Sequence, residues 1–129
     1  MEPGSIVHLD TCTVLFLYAG LTEKLTPPAV AAIEKGTLRV SPMVLLEIQY
    51  LKESGRFKHR AEDVMEQLGK LIGLTVCPAA FAQTALTATR MEWTRDPFDR
   101  LITAQARCQQ APLVTADANI RANYELAIW

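Results

Sequence analysis

The feature that most constrains the fold is a repeated alternation of short apolar runs with longer segments that carry helix-start signals. The apolar run at residues 6–9 ends at Asp10, and the run at 37–40 is followed at once by Ser41 and Pro42, a typical helix cap with proline in the first turn. Short strands that alternate with helices pair in parallel. The pattern therefore predicts an α/β fold, a three-layer α/β/α sandwich with a short, mainly parallel central sheet. The predicted strands are residues 6–9, 37–40, 74–77, 112–115 and 126–129.

Helices are predicted between these strands from caps, glycine stops and apolar periodicity. Thr26 followed by two prolines opens a helix that Gly36 ends, and Asp96 before Pro97 opens another. The remaining segments are apolar or alanine-rich at helical spacing. The predicted helices are residues 13–18, 27–34, 42–54, 61–71, 79–93, 97–109 and 120–124.

The composition is that of a globular protein and excludes several classes of protein. With 129 residues, of which 50% are hydrophobic and 21% charged, the chain is predicted to form a single domain over residues 1–129. No apolar run approaches about 18 residues and the first residues carry no basic segment, so we expect neither a membrane span nor a signal peptide. The three cysteines are odd in number and widely spaced, which indicates reduced thiols in a cytoplasmic protein. The net charge of −1 does not indicate nucleic-acid binding, so a phosphate-binding role requires a local site or a cation.

Two aspartates follow apolar strands. Asp10 comes directly after the first strand, and Asp117 lies two residues after the fourth. Taken alone, each fits a turn residue or a helix N-cap as well as a functional residue. Parallel sheets, however, bind their ligands at the carboxyl edge of the strands, where both residues are expected to lie.

Glu47 lies within an otherwise apolar helical segment. Its neighbours three and four residues away along the helix are all apolar or aromatic, so its face is expected to be at least partly buried. A buried carboxylate is costly unless it is paired or bound to a metal. A nearby arginine is the alternative partner, although no cation of the same helix stands at contact spacing from Glu47.

The segment that begins at Asp96 contains two aspartates with different predicted roles. Asp96 precedes Pro97 and fits a helix N-cap better than a ligand. Asp99 then falls in the first turn of the helix, where the helix dipole favours a negative charge. Its side chain is expected to point back over the start of the helix, towards the end of the sheet.

Four carboxylates are thus expected to converge on one edge of the sheet with few cations nearby. Repulsion between like charges raises their pKa values or requires a divalent cation. Ligation by oxygen alone favours Mg²⁺ or Mn²⁺ over zinc. A carboxylate-held ion of this kind polarises a phosphoryl oxygen and activates water, which is the chemistry of phosphodiester hydrolysis.

Five segments of the chain occur in an order typical of a known family. They are Leu9-Asp10-Thr11, Leu46-Glu47-Ile48 with Gly55-Arg56 after it, the Asp-Pro-Phe-Asp-Arg-Leu-Ile run at 96–102, residues 113–117, and the terminal Trp129. In this order they resemble the PIN-domain endoribonucleases, specifically the VapC toxins of bacterial toxin–antitoxin pairs. The resemblance covers essentially the whole chain, and the Asp-Pro-Phe-Asp-Arg run is its most specific part.

The resemblance implies a metal-dependent ribonuclease with a catalytic, metal-binding set that consists of Asp10, Glu47, Asp99 and Asp117. Asp10 and Asp99 would be the leading ligands of Mg²⁺ or Mn²⁺, and the hydroxyls of Thr11 and Thr115 would orient carboxylates or a bound water. It also implies an RNA substrate, a cognate antitoxin protein as partner, and a homodimer.

The chain departs from the family pattern at two positions. Many relatives carry His or Asn two residues after the first aspartate, where this chain has Cys12. Relatives with the Asp-Pro-Phe-Asp-Arg run often carry His two residues before it, where this chain has Thr94. Neither position belongs to the acidic set, so the departures bear on substrate preference more than on metal binding.

Other residues have both a structural and a functional interpretation. His8 in the first strand is interpreted as a packed histidine, and Cys12 as a packed small residue, since a thiolate nucleophile requires a cationic neighbour. Arg95 and Arg100 flank the acids and are candidates to hold a scissile phosphate. The basic segment 52–60 fits either a solubilising turn or a patch that steers RNA towards the site.

Two further classes of function stay open at this point. A haloacid-dehalogenase-like phosphatase would require a second aspartate two residues after Asp10, where Cys12 stands. A non-catalytic module that binds RNA or a protein would use the same scaffold without metal. A phosphorylated Asp10 would favour the phosphatase, and a lack of Mg²⁺ or Mn²⁺ binding would favour the module.

Overall fold

The structure, a computed structural model, describes residues 2–129 and contains a five-stranded sheet. Every neighbouring pair of strands is parallel, and their order across the sheet is β3-β2-β1-β4-β5. The chain therefore leaves the central strand β1 towards one edge and later returns to its other side. A reversal of this kind leaves a crevice at the carboxyl ends of the strands, where α/β proteins bind ligands. The strands are β1 (Ile6–Leu9), β2 (Thr37–Val40), β3 (Thr75–Val76), β4 (Leu113–Val114) and β5 (Ala127–Ile128).

Seven α-helices within residues 2–129 cover this sheet. They are α1 (Thr11–Ala19), α2 (Pro27–Lys35), α3 (Pro42–Glu53), α4 (Ala61–Ile72), α5 (Phe81–Ala88), α6 (Pro97–Cys108) and α7 (Ala118–Asn123). Helices α1, α3, α4 and α6 pack on one another and α5 packs on α6, whereas α2 contacts β4 and β5, and α7 contacts β5. The predicted α/β/α fold with a parallel sheet is confirmed. None of these helices is both long and apolar enough to cross a bilayer.

The central strand β1 is buried on both of its faces. Val7, His8 and Leu9 are each 1% exposed or less, which explains why the strand reads as a continuous apolar run rather than an alternating one. Within residues 2–129 neither ring nitrogen of His8 has a hydrogen-bond partner, and Arg39 occupies the paired position on β2. Burial, and secondarily the charge of Arg39, lowers the pKa of His8 to about 4. His8 is therefore a neutral, packed histidine, as predicted.

The junction between α2 and β2 permits only glycine. A Cβ atom at Gly36 would lie 2.5 Å from Cγ2 of Val7 and 3.0 Å from the carbonyl oxygen of Ala32. The predicted stop at Gly36 thus reflects a close approach of the chain to β1 as well as the end of a helix.

Most element boundaries agree with the predictions to within two residues, and three differences are informative. The helix predicted over 79–93 ends at Ala88, where the hydroxyl of Thr89 donates to the carbonyl of Leu86 and the chain turns so that Met91 is buried. The first helix starts directly after Asp10 instead of at residue 13. An additional 3₁₀ turn, not predicted, follows α1 at Thr22–Lys24.

Candidate active site

Asp10 lies at the carboxyl end of β1 and caps α1. Its Oδ1 accepts the backbone N–H of Thr13 at 2.9 Å, and its Oδ2 accepts the hydroxyl of Thr115, which follows β4. The side chain of Thr13 in turn donates to the carbonyl of Val114 at 3.0 Å. Asp10 is only 7% exposed. The cap interpretation of Asp10 is therefore correct, and the same bonds fix its carboxylate at the edge of the sheet.

Asp117 is joined to Asp10 through Thr115. The hydroxyl of Thr115 accepts the backbone N–H of Asp117 at 3.0 Å while it donates to Asp10. Asp117 also caps α7, because its Oδ1 accepts the N–H of Ile120 at 2.9 Å. Both aspartates after strands are thus held against one buried threonine, and the side chain of Asp117 stays exposed.

Glu47 lies in the middle of α3 and is partly buried, as its apolar neighbours predict. The hydroxyl of Thr11, the first residue of α1, donates a hydrogen bond to its Oε1. No lysine or arginine forms an ion pair with Glu47 anywhere in residues 2–129. The alternative in which an arginine neutralises this carboxylate is therefore not realised.

Asp96 and Asp99 divide their roles at the start of α6. Oδ1 of Asp96 accepts the N–H groups of Phe98 at 2.8 Å and of Asp99 at 3.2 Å, which makes Asp96 the predicted N-cap. The carboxylate of Asp99 accepts no hydrogen bond from the described chain. Its oxygens are therefore free for a ligand.

These carboxylates open into one cavity of about 360 Å³ at the carboxyl edge of the sheet. The cavity brings together all four predicted site residues, namely Asp10, Glu47, Asp99 and Asp117. Its other lining residues are Thr11, Cys12, Phe16, Leu51, Ile102, Ala116 and Ile120.

The apolar lining of the cavity was not anticipated from the sequence. Leu51 stands four residues after Glu47, Ile102 three residues after Asp99, and Ile120 three residues after Asp117. Residues at these spacings share a helix face, so the signal was present in the sequence. The acids therefore sit above apolar side chains, which lowers the local dielectric and strengthens their mutual repulsion.

The electrostatics of the cavity are those of uncompensated negative charge. Burial, followed by the charges of Asp96, Asp117, Glu47 and Asp10, raises the pKa of Asp99 to about 7. Burial also raises the pKa of Asp10 and of Glu47, and neighbouring carboxylates add to both shifts. Among the residues that line the cavity there is no lysine or arginine.

Cys12 does not fit the prediction of a packed small residue. It is exposed and lines the cavity, because α1 begins two residues earlier than predicted and turns Cys12 towards the acids. Burial of part of the thiol, with the negative charges of Asp10 and Glu47, raises its pKa to about 11. In the metal-free chain the thiol is therefore protonated near neutral pH, which does not favour a role as a nucleophile.

The two arginines that flank the acids in sequence lie outside the cavity. Nε of Arg100 donates to the carbonyl of Thr94 at 2.7 Å, and its side chain lines a separate groove between α5 and α6. Arg95 is exposed and is also absent from the cavity lining. Their positions do not support the interpretation that they hold a scissile phosphate.

The cavity offers the type of ligand atom, carboxylate oxygen, that hard divalent cations prefer. The four carboxylates offer oxygen ligands, and a divalent cation relieves their repulsion without the need for protonation. In the described part of the chain, no three acidic, cysteine or histidine side chains are grouped closely enough to hold an ion by themselves. An ion held in this cavity would therefore have to keep several waters of its own, as Mg²⁺ commonly does in proteins.

Sequence comparison relates most of the chain to one family. The model of the PIN domain family matches residues 7–126, a span that includes all four cavity carboxylates. No curated protein matches the sequence.

Three solved structures share the fold at low sequence identity. VapBC2 of Rickettsia felis, bound to a promoter DNA fragment, superposes with a TM-score of 0.63 at 16% identity and covers 95% of both chains. A toxin–antitoxin complex of Klebsiella pneumoniae has a TM-score of 0.59 at 15% identity, with 95% of this chain and 96% of that chain covered. VapBC-1 of nontypeable Haemophilus influenzae has a TM-score of 0.57 at 16% identity, with 91% and 90% covered.

Proposed function

The chain belongs to the PIN domain family, a family of nucleases, and we propose that it is a metal-dependent endoribonuclease that acts as the toxin of a toxin–antitoxin pair. The observation that carries this proposal is the single cavity lined by Asp10, Glu47, Asp99 and Asp117 without a neutralising cation. Such a site is suited to a divalent ion and a phosphodiester, and poorly suited to an anionic ligand alone.

In this proposal the four cavity carboxylates hold Mg²⁺ or Mn²⁺, in part through water molecules that the ion retains. The ion, when bound, lowers the pKa of water at the site and offsets negative charge that develops on the phosphate. Asp10 serves as the fixed point of the site, because both of its oxygens are held by hydrogen bonds from Thr13 and Thr115. Thr11 orients Glu47 in the same way. Asp99, whose carboxylate accepts no hydrogen bond from residues 2–129, is left free to contact the ion or an attacking water.

The direct test is cleavage of a labelled single-stranded RNA by the purified protein with Mg²⁺ or Mn²⁺, and with EDTA. We expect cleavage only with the metal, and its loss in Asp10→Asn and Asp99→Asn. Asp63→Asn, which neutralises an exposed acid in the first turn of α4, is the matched control and should cleave normally. RNA cleavage at the wild-type rate by both Asp10→Asn and Asp99→Asn would contradict the proposed site.

The proposed partner is an antitoxin protein. The three similar structures are complexes of a toxin with its antitoxin, and this chain covers at least nine-tenths of each matched chain. We expect growth arrest when the chain is expressed alone, and normal growth when a small protein from an adjacent gene is co-expressed. Separately, we expect light scattering of the purified protein to give the mass of a homodimer.

Two other functions are less well supported. The haloacid-dehalogenase-like phosphatase requires an aspartate where Cys12 stands, and the thiol there is protonated. A non-catalytic module would not account for four mutually repelling carboxylates in one cavity. Calorimetry that detects no Mn²⁺ binding to the wild-type chain would favour this module over the nuclease.

A further inference from the structure

A second cavity lies near the far end of α1, outside the acidic site. It measures about 330 Å³ and is lined by Tyr18, Ala19 and residues 56–59. The rings of Tyr18, Phe57 and His59 meet edge to face, with centroids 5.2–6.0 Å apart. We call these three rings, with the flanking Arg56 and Lys58, the aromatic cradle. Its size is near the lower end of the range for small-molecule sites, roughly 300–1,000 Å³.

The cradle carries the positive charge that the acidic cavity lacks. Arg56 and Lys58 are exposed and form no ion pair within residues 2–129. Lys52 and Arg60 stand close in sequence, and in the described part of the chain only Arg60 of these two is paired, with Glu62 at 3.3 Å. In a chain of net charge −1, this is a local site at which a polyanion is attracted.

The loop that bears the cradle is fixed to the end of α3. The carbonyl of Leu51 accepts the backbone N–H groups of Arg56 at 2.9 Å and of Phe57 at 3.2 Å, and Gly55 supplies the positive φ of 81° that the turn requires. Phe57 packs against the hydrophobic core. The cradle is thus held in place by backbone bonds and does not depend on a loose surface loop.

The cradle and the acidic cavity share structural elements. Leu51, whose carbonyl anchors the cradle loop, lines the acidic cavity with its side chain. On α1, Phe16 lines the acidic cavity and Tyr18 the cradle. The eight positions from Asp10 to Tyr18 correspond to about 12 Å at the rise of an α-helix. This separation along the helix axis is within the length of an extended oligonucleotide.

We propose that the aromatic cradle binds a base of single-stranded RNA and so positions the RNA strand for the acidic cavity. This inference rests on the proposed ribonuclease function. The base stacks on the accessible ring of His59 beside Tyr18, and Arg56 and Lys58 contact the flanking phosphates. Aromatic rings next to unpaired cations are the usual composition of surfaces that bind single strands without strong sequence preference. An acidic protein would be attracted by the cations but would not require the rings.

The test is equilibrium binding of a fluorescent 12-nucleotide oligouridylate in EDTA, followed by anisotropy. His59→Ala removes one exposed ring without removing a permanent charge, and we expect affinity to fall about fivefold or more, with His59→Phe restoring it. Arg56→Ala/Lys58→Ala should weaken binding and reduce the slope of log K against log salt by about 1.4, since each phosphate contact on a single strand contributes about 0.7.

Two controls separate stacking from general charge attraction. Lys35→Ala/Lys70→Ala removes two exposed cations at the ends of α2 and α4. These helix ends precede β2 and β3 and so lie at the amino edge of the sheet. The double variant should leave oligouridylate affinity nearly unchanged. An abasic oligonucleotide of the same length should bind wild type and His59→Ala equally. Thermal melting should report the same fold stability for all of these exposed-residue variants.

The outcomes distinguish this inference from the proposed function. Loss of oligouridylate binding in the cradle variants, with a raised KM and an unchanged kcat in Mn²⁺, supports the cradle. Equal binding by wild type and all cradle variants overturns it, even if the protein cleaves RNA. Cradle-dependent binding by a protein that never cleaves RNA would instead retain the cradle and overturn the nuclease proposal. A polyglutamate peptide that binds tightly to wild type but not to the cradle variants, when all of them bind oligouridylate equally, overturns the inference. This result indicates a protein-docking surface.

Discussion

The hydroxyl of Thr115 donates a hydrogen bond to Oδ2 of Asp10, from a position 105 residues further along the chain. The same hydroxyl accepts the backbone N–H of Asp117 at 3.0 Å. Thr115 is fully buried and belongs to neither helix nor strand. The orientation of the most buried carboxylate of the site is thus set by the chain segment that carries another of its acids.

Replacement of Thr115 tests this orientation. Thr115→Val keeps the shape but removes both hydrogen bonds, so we expect Mn²⁺ affinity and RNA cleavage to fall about 10- to 100-fold, as for other groups that orient metal ligands. Thr115→Ser keeps the hydroxyl and serves as the control, with both quantities within a few fold of wild type. Calorimetry and initial cleavage rates measure the effect. Equal values for the valine and serine variants would show that the hydroxyl has no part in the site.

Removal of the Asp99 charge is expected to stabilise the metal-free protein at alkaline pH. The pKa of Asp99 in the folded chain, about 7, lies above its ordinary 3.8. Its favourable contribution to stability is therefore fully present below pH 3.8 and is lost as the pH rises through 7. Asp99→Asn should melt about 3 °C or more above wild type at pH 8 in EDTA, with a smaller difference at pH 4. A difference that does not change with pH would contradict this explanation.

Acid is expected to destabilise the protein through His8. Its folded-state pKa of about 4 lies below the ordinary 6.5, so its contribution is fully present above pH 6.5 and is lost as the pH falls towards 4. The full effect is on the order of 3 kcal/mol at 1.36 kcal/mol per pKa unit. His8→Leu removes two buried nitrogens that lack partners, and should be neutral or stabilising at pH 7 and should weaken the pH dependence between 6.5 and 4.5. Urea unfolding at both pH values measures this, and an unaltered pH dependence in the variant would refute it.

Cys12 is expected to react slowly in spite of its exposure. Its pKa of about 11, against the ordinary 9.0, predicts alkylation by iodoacetamide at pH 8 at least tenfold slower than in the urea-unfolded chain. Because neighbouring carboxylates contribute to the shift, Asp10→Asn should accelerate the reaction. Mass spectrometry of the modified peptide follows the rate. A folded chain that reacts as fast as the unfolded one would contradict the raised pKa.

Two glycine substitutions should have opposite effects on stability. Gly36→Ala places a Cβ 2.5 Å from Val7 and is expected to cost about 1–3 kcal/mol. Gly69→Ala, inside α4, meets its nearest atom at an ordinary 3.5 Å and should stabilise by about 0.5–1 kcal/mol through helix propensity. Chemical denaturation of both variants decides the point, and a tolerated Gly36→Ala would mean that β1 and α2 are less tightly packed than described.

The positions of the carboxylates were largely predictable from the sequence, because their locations follow from local rules. A polar residue after a buried parallel strand lies at the ligand-binding edge, which applies to Asp10 and Asp117. An acid in the first turn of a helix points back towards that edge, which applies to Asp99. These rules need only the order of strands and helices, and the order was confirmed.

The surroundings of the carboxylates were harder to predict, because they depend on packing between distant segments. The pairing of Thr11 with Glu47 requires the relative placement of α1 and α3, which no local pattern encodes. The prediction for Cys12 is wrong for a similar reason, since α1 begins two residues earlier than predicted and this changes the face on which Cys12 lies. Arg100 flanks the acids in sequence, yet its side chain lies outside the acidic cavity, where it donates to the carbonyl of Thr94 and lines the groove beside α5.

The bond between Thr115 and Asp10 also has a consequence for biosynthesis. Asp10 leaves the ribosome early, but its partner strand β4, Thr115 and Asp117 are translated some hundred codons later. A nascent or prematurely terminated chain that stops between them lacks part of the cavity. Under the proposed ribonuclease function, incomplete translation products are therefore expected to be inactive, and cleavage requires that synthesis has passed Asp117.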